Sequence, residues 1–257
     1  MSTVMTEHRQ TPRRARMDRR TAMRLAADEY ARFADAVAGL ADGDWSRPTE
    51  CPAWDVRQLV CHVVGMAEFA GGIREGARQR KLAAADAARR GVEFIDALTD
   101  VQVRERADWT PEQAVRGARE VGPRAARGRR MTPFFVRRRT LPVPQLVNGR
   151  REDWTIGYLV DLVLTRDTWM HRVDLAGATG RPLHLTAEHD GAIVADVVRE
   201  WAERHGRHYS LILTGPAGGS WSSGADGTRI EMDAVEFCRV VSGRGAANGL
   251  LATQVPF

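Results

Sequence analysis

Apolar residues recur at helical spacing through most of the first 176 positions. Met23, Leu25, Ala26, Tyr30, Phe33, Ala34, Val37 and Leu40 line one face and predict a helix over residues 20–41. Gly43 and the Arg47-Pro48 pair end it. The turn at 49–55 opens a second helix to about residue 70, with Val56, Leu59, Val60, Val63 and Met66 on its apolar side. Residues 83–106 read as one moderately amphipathic helix. Thr110 as N-cap, Pro111 at the first helical position and Gln113 three residues past the cap start another, which stops before Pro133. Pro142, Pro144, Asn148 and Gly149 mark a loop, and Thr155 caps a strongly apolar helix to about residue 176.

The pattern changes after Gly177. Gly180-Arg181-Pro182 reads as a linker, 188–205 as a helix and 209–214 as a strand. Segments 220–224 and 228–232 read as two strands joined in a hairpin by Asp226-Gly227, and Asp233 caps a helix to 242. The chain divides into a tail (1–20), a helical bundle (21–180) and a small α+β domain (181–257), so the expected fold class is α+β.

At 257 residues and 43% hydrophobic content the chain can bury such cores. Its net charge of +5 is unevenly spread. Six arginines fall in residues 1–20 and eleven in residues 116–151, leaving the remainder net acidic. The first stretch has little apolar content and reads as a basic disordered tail. Its Arg13-Arg14 pair lacks the apolar run of an export signal. The second is interleaved with aromatics only at Phe134 and Phe135, and no helix-turn-helix or zinc finger is evident, so nucleic acid is not expected as a partner. No apolar run approaches the roughly 18 residues of a membrane span, and no membrane partner is expected. Cys51, Cys61 and Cys238 have neither CxxC spacing nor an even count, which points to a reducing cytoplasm.

The helix after Thr155 carries the candidate chemistry. Val160, Val163, Asp167, His171 and Asp174 share one face, a stripe that begins apolar and turns ionisable. Buried carboxylates and imidazoles are costly unless paired or bound to metal. Four residues apart, Asp167 and His171 can reach one ion. His62 lies on the apolar side of the second helix. Taken singly, His62 reads as a satisfied core histidine, and Asp167 with His171 as a surface ion pair. Taken together they make an open metal site inside a bundle. Cys61 points about 100° away from His62, and Cys51 beside Pro52 reads as a packed residue rather than a nucleophile.

Asp44-Trp45-Ser46-Arg47-Pro48-Thr49-Glu50-Cys51-Pro52-Ala53-Trp54, followed by Val60-Cys61-His62-Val63-Val64-Gly65, resembles the N-terminal signature of the mycothiol-dependent maleylpyruvate isomerase family. Asp167-Thr168-Trp169-Met170-His171-Arg172-Val173-Asp174 resembles its second signature. Leu213-Thr214-Gly215-Pro216-Ala217-Gly218-Gly219-Ser220-Trp221, with Ser242-Gly243-Arg244, is similar to the sterol-carrier-like domain often attached to these proteins. The resemblance covers about residues 22–257. It implies a DinB-like metal-binding four-helix bundle followed by a small α+β sterol-carrier-like domain. It further implies a divalent metal, zinc, held by His62, Asp167 and His171, with mycothiol as thiol cosubstrate and a small electrophile as substrate. The family's isomerase carries Glu where this chain has Asp167. Arg244 is the candidate catalytic arginine for a substrate carboxylate, and Asp174 or Arg172 the candidate to orient His171. The reaction implied is isomerisation or thiol transfer; the other reading is a non-catalytic metal- or small-ligand-binding protein of the same fold.

Overall fold

The computed structural model describes residues 11–257. Four long helices form a bundle: α1 (Arg19–Ala38), α2 (Val56–Gly71), α5 (Pro111–Met131) and α8 (Leu164–Thr179). Helix α5 packs between α1 and α2, and α8 closes against both. Two further helices, α3 (Ile73–Arg90) and α4 (Phe94–Arg104), pair with each other and lie along α2. The caps explain where the bundle helices begin. Asp55 accepts from the Gln58 N–H at 2.8 Å while Gln58 Oε1 accepts from the Asp55 N–H at 2.9 Å, a reciprocal box. Thr110 and Gln113 repeat it at α5, as the sequence predicts.

Two departures from the expected helices have local causes. The single helix expected over 83–106 begins earlier, at Ile73, and is two, because Gly91 (φ +67°) terminates α3 in the left-handed region and lets α4 fold back. The helix after Thr155 is interrupted as well. One turn, α7 (Ile156–Tyr158), leads into a π-helical turn at Leu159–Val163 before α8 begins. Such turns cluster near functional sites, and this one ends four residues before Asp167.

Of the expected 1–20 tail, residues 1–10 lie outside the described residues. From Arg13 the chain is paired: the Arg13 N–H donates to Asp153 O at 2.8 Å, and Arg13 O accepts from Thr155 N–H at 3.0 Å. A one-turn helix α6 (Phe134–Arg137) and the hairpin of β1 (Gln145–Val147) and β2 (Arg150–Glu152) lie between α5 and α7.

The C-terminal part contains α9 (Ala192–His205), β3 (Tyr209–Thr214), β4 (Gly219–Ser223), β5 (Thr228–Asp233) and α10 (Ala234–Val241). The strands form the expected sheet, but the Asp226-Gly227 hairpin is corrected. The strand order is β4-β3-β5, with β4 antiparallel and β5 parallel to the central β3. Strand β3 takes the middle because its alternate residues Tyr209, Leu211 and Leu213 are buried against α9 and α10. The 224–227 connection therefore crosses the start of β3 instead of turning back on β4. A Cβ on Gly227 would lie 2.3 Å from the Tyr209 nitrogen, so the crossing requires glycine there.

The two parts share one core. Leu25, Trp169 and Met170 of the bundle pack with Trp201, Leu211 and Phe237 of the C-terminal part. Two buried ionic networks run alongside. Arg172 of α8 donates to Glu29 of α1 at 2.7 Å and to Asp190 before α9 at 2.5 Å. Arg166 donates to Asp196 (2.5 Å) and Glu200 (2.8 Å), and Glu200 also accepts from the Tyr158 hydroxyl at 2.6 Å. Among the described residues no helix is long and apolar enough to cross a membrane.

Candidate metal centre

His62 projects from the middle of α2 toward the first two turns of α8, where Asp167 and His171 project back. Asp167 Oδ1 lies 3.4 Å from His171 Nε2 and 3.9 Å from His62 Nε2. The imidazoles stand nearly perpendicular, with centroids 5.0 Å apart. Both histidines are buried, and the Asp167 side chain keeps 18% exposure, so the centre is enclosed with one side toward solvent. Donors around a tetrahedral ion at roughly 2.0–2.1 Å lie about 3.4 Å from one another, close to these separations.

The hydrogen bonds behind the histidines decide which nitrogen faces inward. Gln79 Nε2 is placed by two pure acceptors, Gly65 O (3.1 Å) and Glu75 Oε1 (2.9 Å). Gln79 Oε1 is thereby turned to Gln102 and accepts from its Nε2 at 3.0 Å. That leaves Gln102 Oε1 to accept from His62 Nδ1–H at 2.9 Å. On the other side Arg244, which can only donate, holds both oxygens of Asp174 through Nε (2.9 Å) and Nη2 (3.0 Å). Asp174 in turn accepts from His171 Nδ1–H at 3.0 Å. With both Nδ1 atoms donating, each neutral imidazole presents its Nε2 lone pair to Asp167.

Three electron-rich atoms facing one point need a cation. Asp167 Oδ2 is buried and has no hydrogen-bond partner among the described residues. Without a metal, a proton is the remaining cation. Burial alone pushes the Asp167 carboxyl up, but the facing imidazoles outweigh it and hold it well below the carboxylate range. Burial lowers His171, but Asp167 and then Asp174 outweigh it and raise it well above the ordinary histidine value. The residues present therefore fit a divalent ion.

The predicted residues fall into place unevenly. His62, Asp167 and His171 come together. Asp174 sits behind His171, whereas Arg172 turns away to Glu29 and Asp190. Arg244 reaches the centre only through Asp174; its remaining Nη1 donates to Ser242 Oγ at 3.3 Å. Cys51 Sγ is 3.9 Å from Asp174 Oδ2. Cys61 faces Arg106 O, away from the centre, and burial pushes its thiol up to about 11. Glu29, His189 and Asp190 form another close-set buried group, but the Arg172 guanidinium already supplies its positive charge.

Sequence reasoning did not find Gln102, Gln79 or the role of Trp54. The Trp54 ring lies 4.7 Å from His62 and 6.1 Å from His171, covering both imidazoles. Its position in the loop before α2 gives no sign of that contact. The two glutamines are polar residues on otherwise amphipathic helices, and only their complete burial distinguishes them.

A family model for the mycothiol maleylpyruvate isomerase N-terminal domain matches residues 26–176, a span that contains all three converging residues. No curated protein matches the chain. Among solved structures, the mycothiol-dependent maleylpyruvate isomerase superposes with a TM-score of 0.55 at 14% identity, covering 89% of this chain and 90% of that one. A histidine-to-alanine mutant of the same protein superposes at 0.56, with the same identity and coverage. At that identity the likeness shows the fold.

Proposed function

The chain belongs to the mycothiol maleylpyruvate isomerase N-terminal domain family, and from that premise we propose that it is a metal-dependent enzyme using mycothiol on a small electrophile. His62, Asp167 and His171 are the metal ligands in this reading. The observation that carries it is the pair of Nε2 lone pairs aimed at Asp167, each fixed by an acceptor behind the ring. A divalent ion, zinc by its preference for this donor set, supplies the charge that keeps a thiol deprotonated at neutral pH.

The chain's own residues do the rest. Asp174 and Arg244 hold His171, and Gln102 holds His62, so the donors need little reorganisation. Trp54 shields the imidazoles and restricts water. Arg244 has committed Nε and Nη2 to Asp174, and its Nη1 donates to Ser242 at 3.3 Å, so a substrate carboxylate would take the remaining Nη1 hydrogen or displace the Ser242 hydroxyl. Bound mycothiol would supply a thiolate able to add to a conjugated double bond, giving an enolate whose new single bond can rotate before the same thiolate is expelled, with no net change in protons or electrons. Transfer to an electrophile would use the same thiolate, with a leaving group expelled from the electrophile or a proton taken up after addition. A cytoplasmic setting accords with three free cysteines.

A second reading, metal or small-ligand binding without turnover, is favoured by one residue. Asp167 is a methylene shorter than the glutamate of the family's isomerase, so its carboxylate would reach less far from α8 toward a metal. Metal analysis of the purified protein beside His62→Ala tests the centre. Stoichiometric metal lost in the variant supports it; no metal in either sinks it. Turnover of maleylpyruvate or a generic electrophile that depends on mycothiol then separates enzyme from binder.

A further inference from the structure

Eight large apolar residues are exposed among the described residues, and four of them gather at one end of the bundle. Ile73 is 90% exposed, Met131 65%, Phe134 65% and Phe135 67%. The backbones of α2 and α5 meet there: a Cβ on Gly128 would lie 2.4 Å from Gly71 O. Ile73 follows two residues after that contact and Met131 three, with Phe134 and Phe135 on the next turn.

The same end is strongly basic. No carboxylate occurs between residues 121 and 151, a stretch with nine arginines. Arg124, Arg127, Arg130 and Arg139 are exposed, and the Arg138 guanidinium lies 5.4 Å from the Phe134 ring centroid. The start of α1 adds to this end, since Arg19 donates to Thr132 O at 3.0 Å.

We propose that this corner, Ile73–Met131–Phe134–Phe135 framed by α5 arginines, is a docking surface for an anionic lipid bilayer. Two observations favour a bilayer over a protein partner. Side chains about two-thirds or more exposed stand out from the surface; a fluid interface accepts such protrusions, whereas a folded partner needs a matching cavity. The arrangement of aromatics in the middle with arginines around them also matches the acyl boundary and phosphate layer of a membrane surface. The contact is peripheral; it departs from the expectation of no membrane partner, which rested on the lack of a spanning run, and no helix among the described residues spans a membrane. It does not depend on the metal reading, because none of its residues touches the centre.

Co-sedimentation of the full chain with vesicles tests it, using phosphatidylcholine alone and phosphatidylcholine containing about one third phosphatidylglycerol. Binding is expected only to the anionic vesicles and is expected to weaken as salt rises. The exposed pair Phe134→Ser/Phe135→Ser should lower the binding constant at least about tenfold with an unchanged far-ultraviolet spectrum. Arg127→Ser/Arg130→Ser should weaken binding to a similar degree. No binding to anionic vesicles, equal binding to neutral ones, or full binding by the phenylalanine variant would overturn the proposal. The last result would assign any attraction to the arginines alone. Phe134-dependent capture of polyglutamate without vesicle binding would also overturn it, in favour of an acidic protein.

Discussion

Asp174 accepts from Nδ1 of His171 at 3.0 Å while Arg244 holds both of its oxygens. The arginine fixes the carboxylate, the carboxylate fixes the ring, and the ring's other nitrogen faces Asp167. Burial raises the Asp174 carboxyl, but His171 and Arg244 outweigh it, so it stays ionised. Asp174→Asn keeps an acceptor for His171 but removes the charge. Metal affinity should fall about 10–100-fold, measured by chelator competition on folded protein. Unchanged affinity would remove Asp174 from this role.

Gln102→Leu removes the acceptor behind His62. The His62 ring should then populate the tautomer with its proton on Nε2, visible in the ¹⁵N shifts of the ring. Stability should drop by about 1–3 kcal/mol, because Gln79 Oε1 loses its donor in a buried place. Gln102→Glu, which can still accept from Nδ1, is expected to restore the wild-type tautomer.

Arg172 joins α1, α8 and the turn before α9 through Glu29 and Asp190. Arg172→Met leaves two buried carboxylates without their guanidinium, though His189 still faces Glu29 and Thr186 and Trp169 still donate to Asp190, and should cost about 3–5 kcal/mol in urea unfolding. The exposed Arg24–Asp28 pair on α1 provides the contrast, and Arg24→Ala should cost only about 0.3–0.5 kcal/mol. Equal effects would show that the buried network does not hold the two parts together.

Acid should loosen the interface between the two parts. Burial raises the Glu200 carboxyl, but Arg166 and Arg204 outweigh it and bring it down to about 2. A folded-state value below the unfolded one contributes stability that is complete above the unfolded value, about 4.3. That contribution is lost as pH falls toward 2, by up to about 3 kcal/mol. Glu200→Gln should flatten this part of the stability profile between pH 5 and 2. A profile with the wild-type slope would assign the acid sensitivity to other carboxylates.

The bundle helices were legible because each carries its own apolar stripe and cap, both local properties. Thr110–Gln113 and the stripe from Met23 to Val37 needed no partner to be recognised. The Asp167, His171 and Asp174 stripe could be read for the same reason: one helix sets its spacing. The break at Gly91 and the strand order β4-β3-β5 were not legible. Asp226-Gly227 is a turn in either topology, and only the burial of β3 sends the chain across it.

The sequence alone determined most of the bundle helices and which side chains lie on one helical face, because backbone geometry links residues three and four apart. Tertiary structure decided what each of those side chains meets. His62 and Asp167 are 105 positions apart, and their 3.9 Å approach exists only because α2 packs on α8. Packing likewise gave Arg172 to Glu29 and Arg244 to Asp174, and turned two buried glutamines into the support of one imidazole. Hydrogen bonds and ion pairs reach only a few ångströms, so their partners are set where the helices cross.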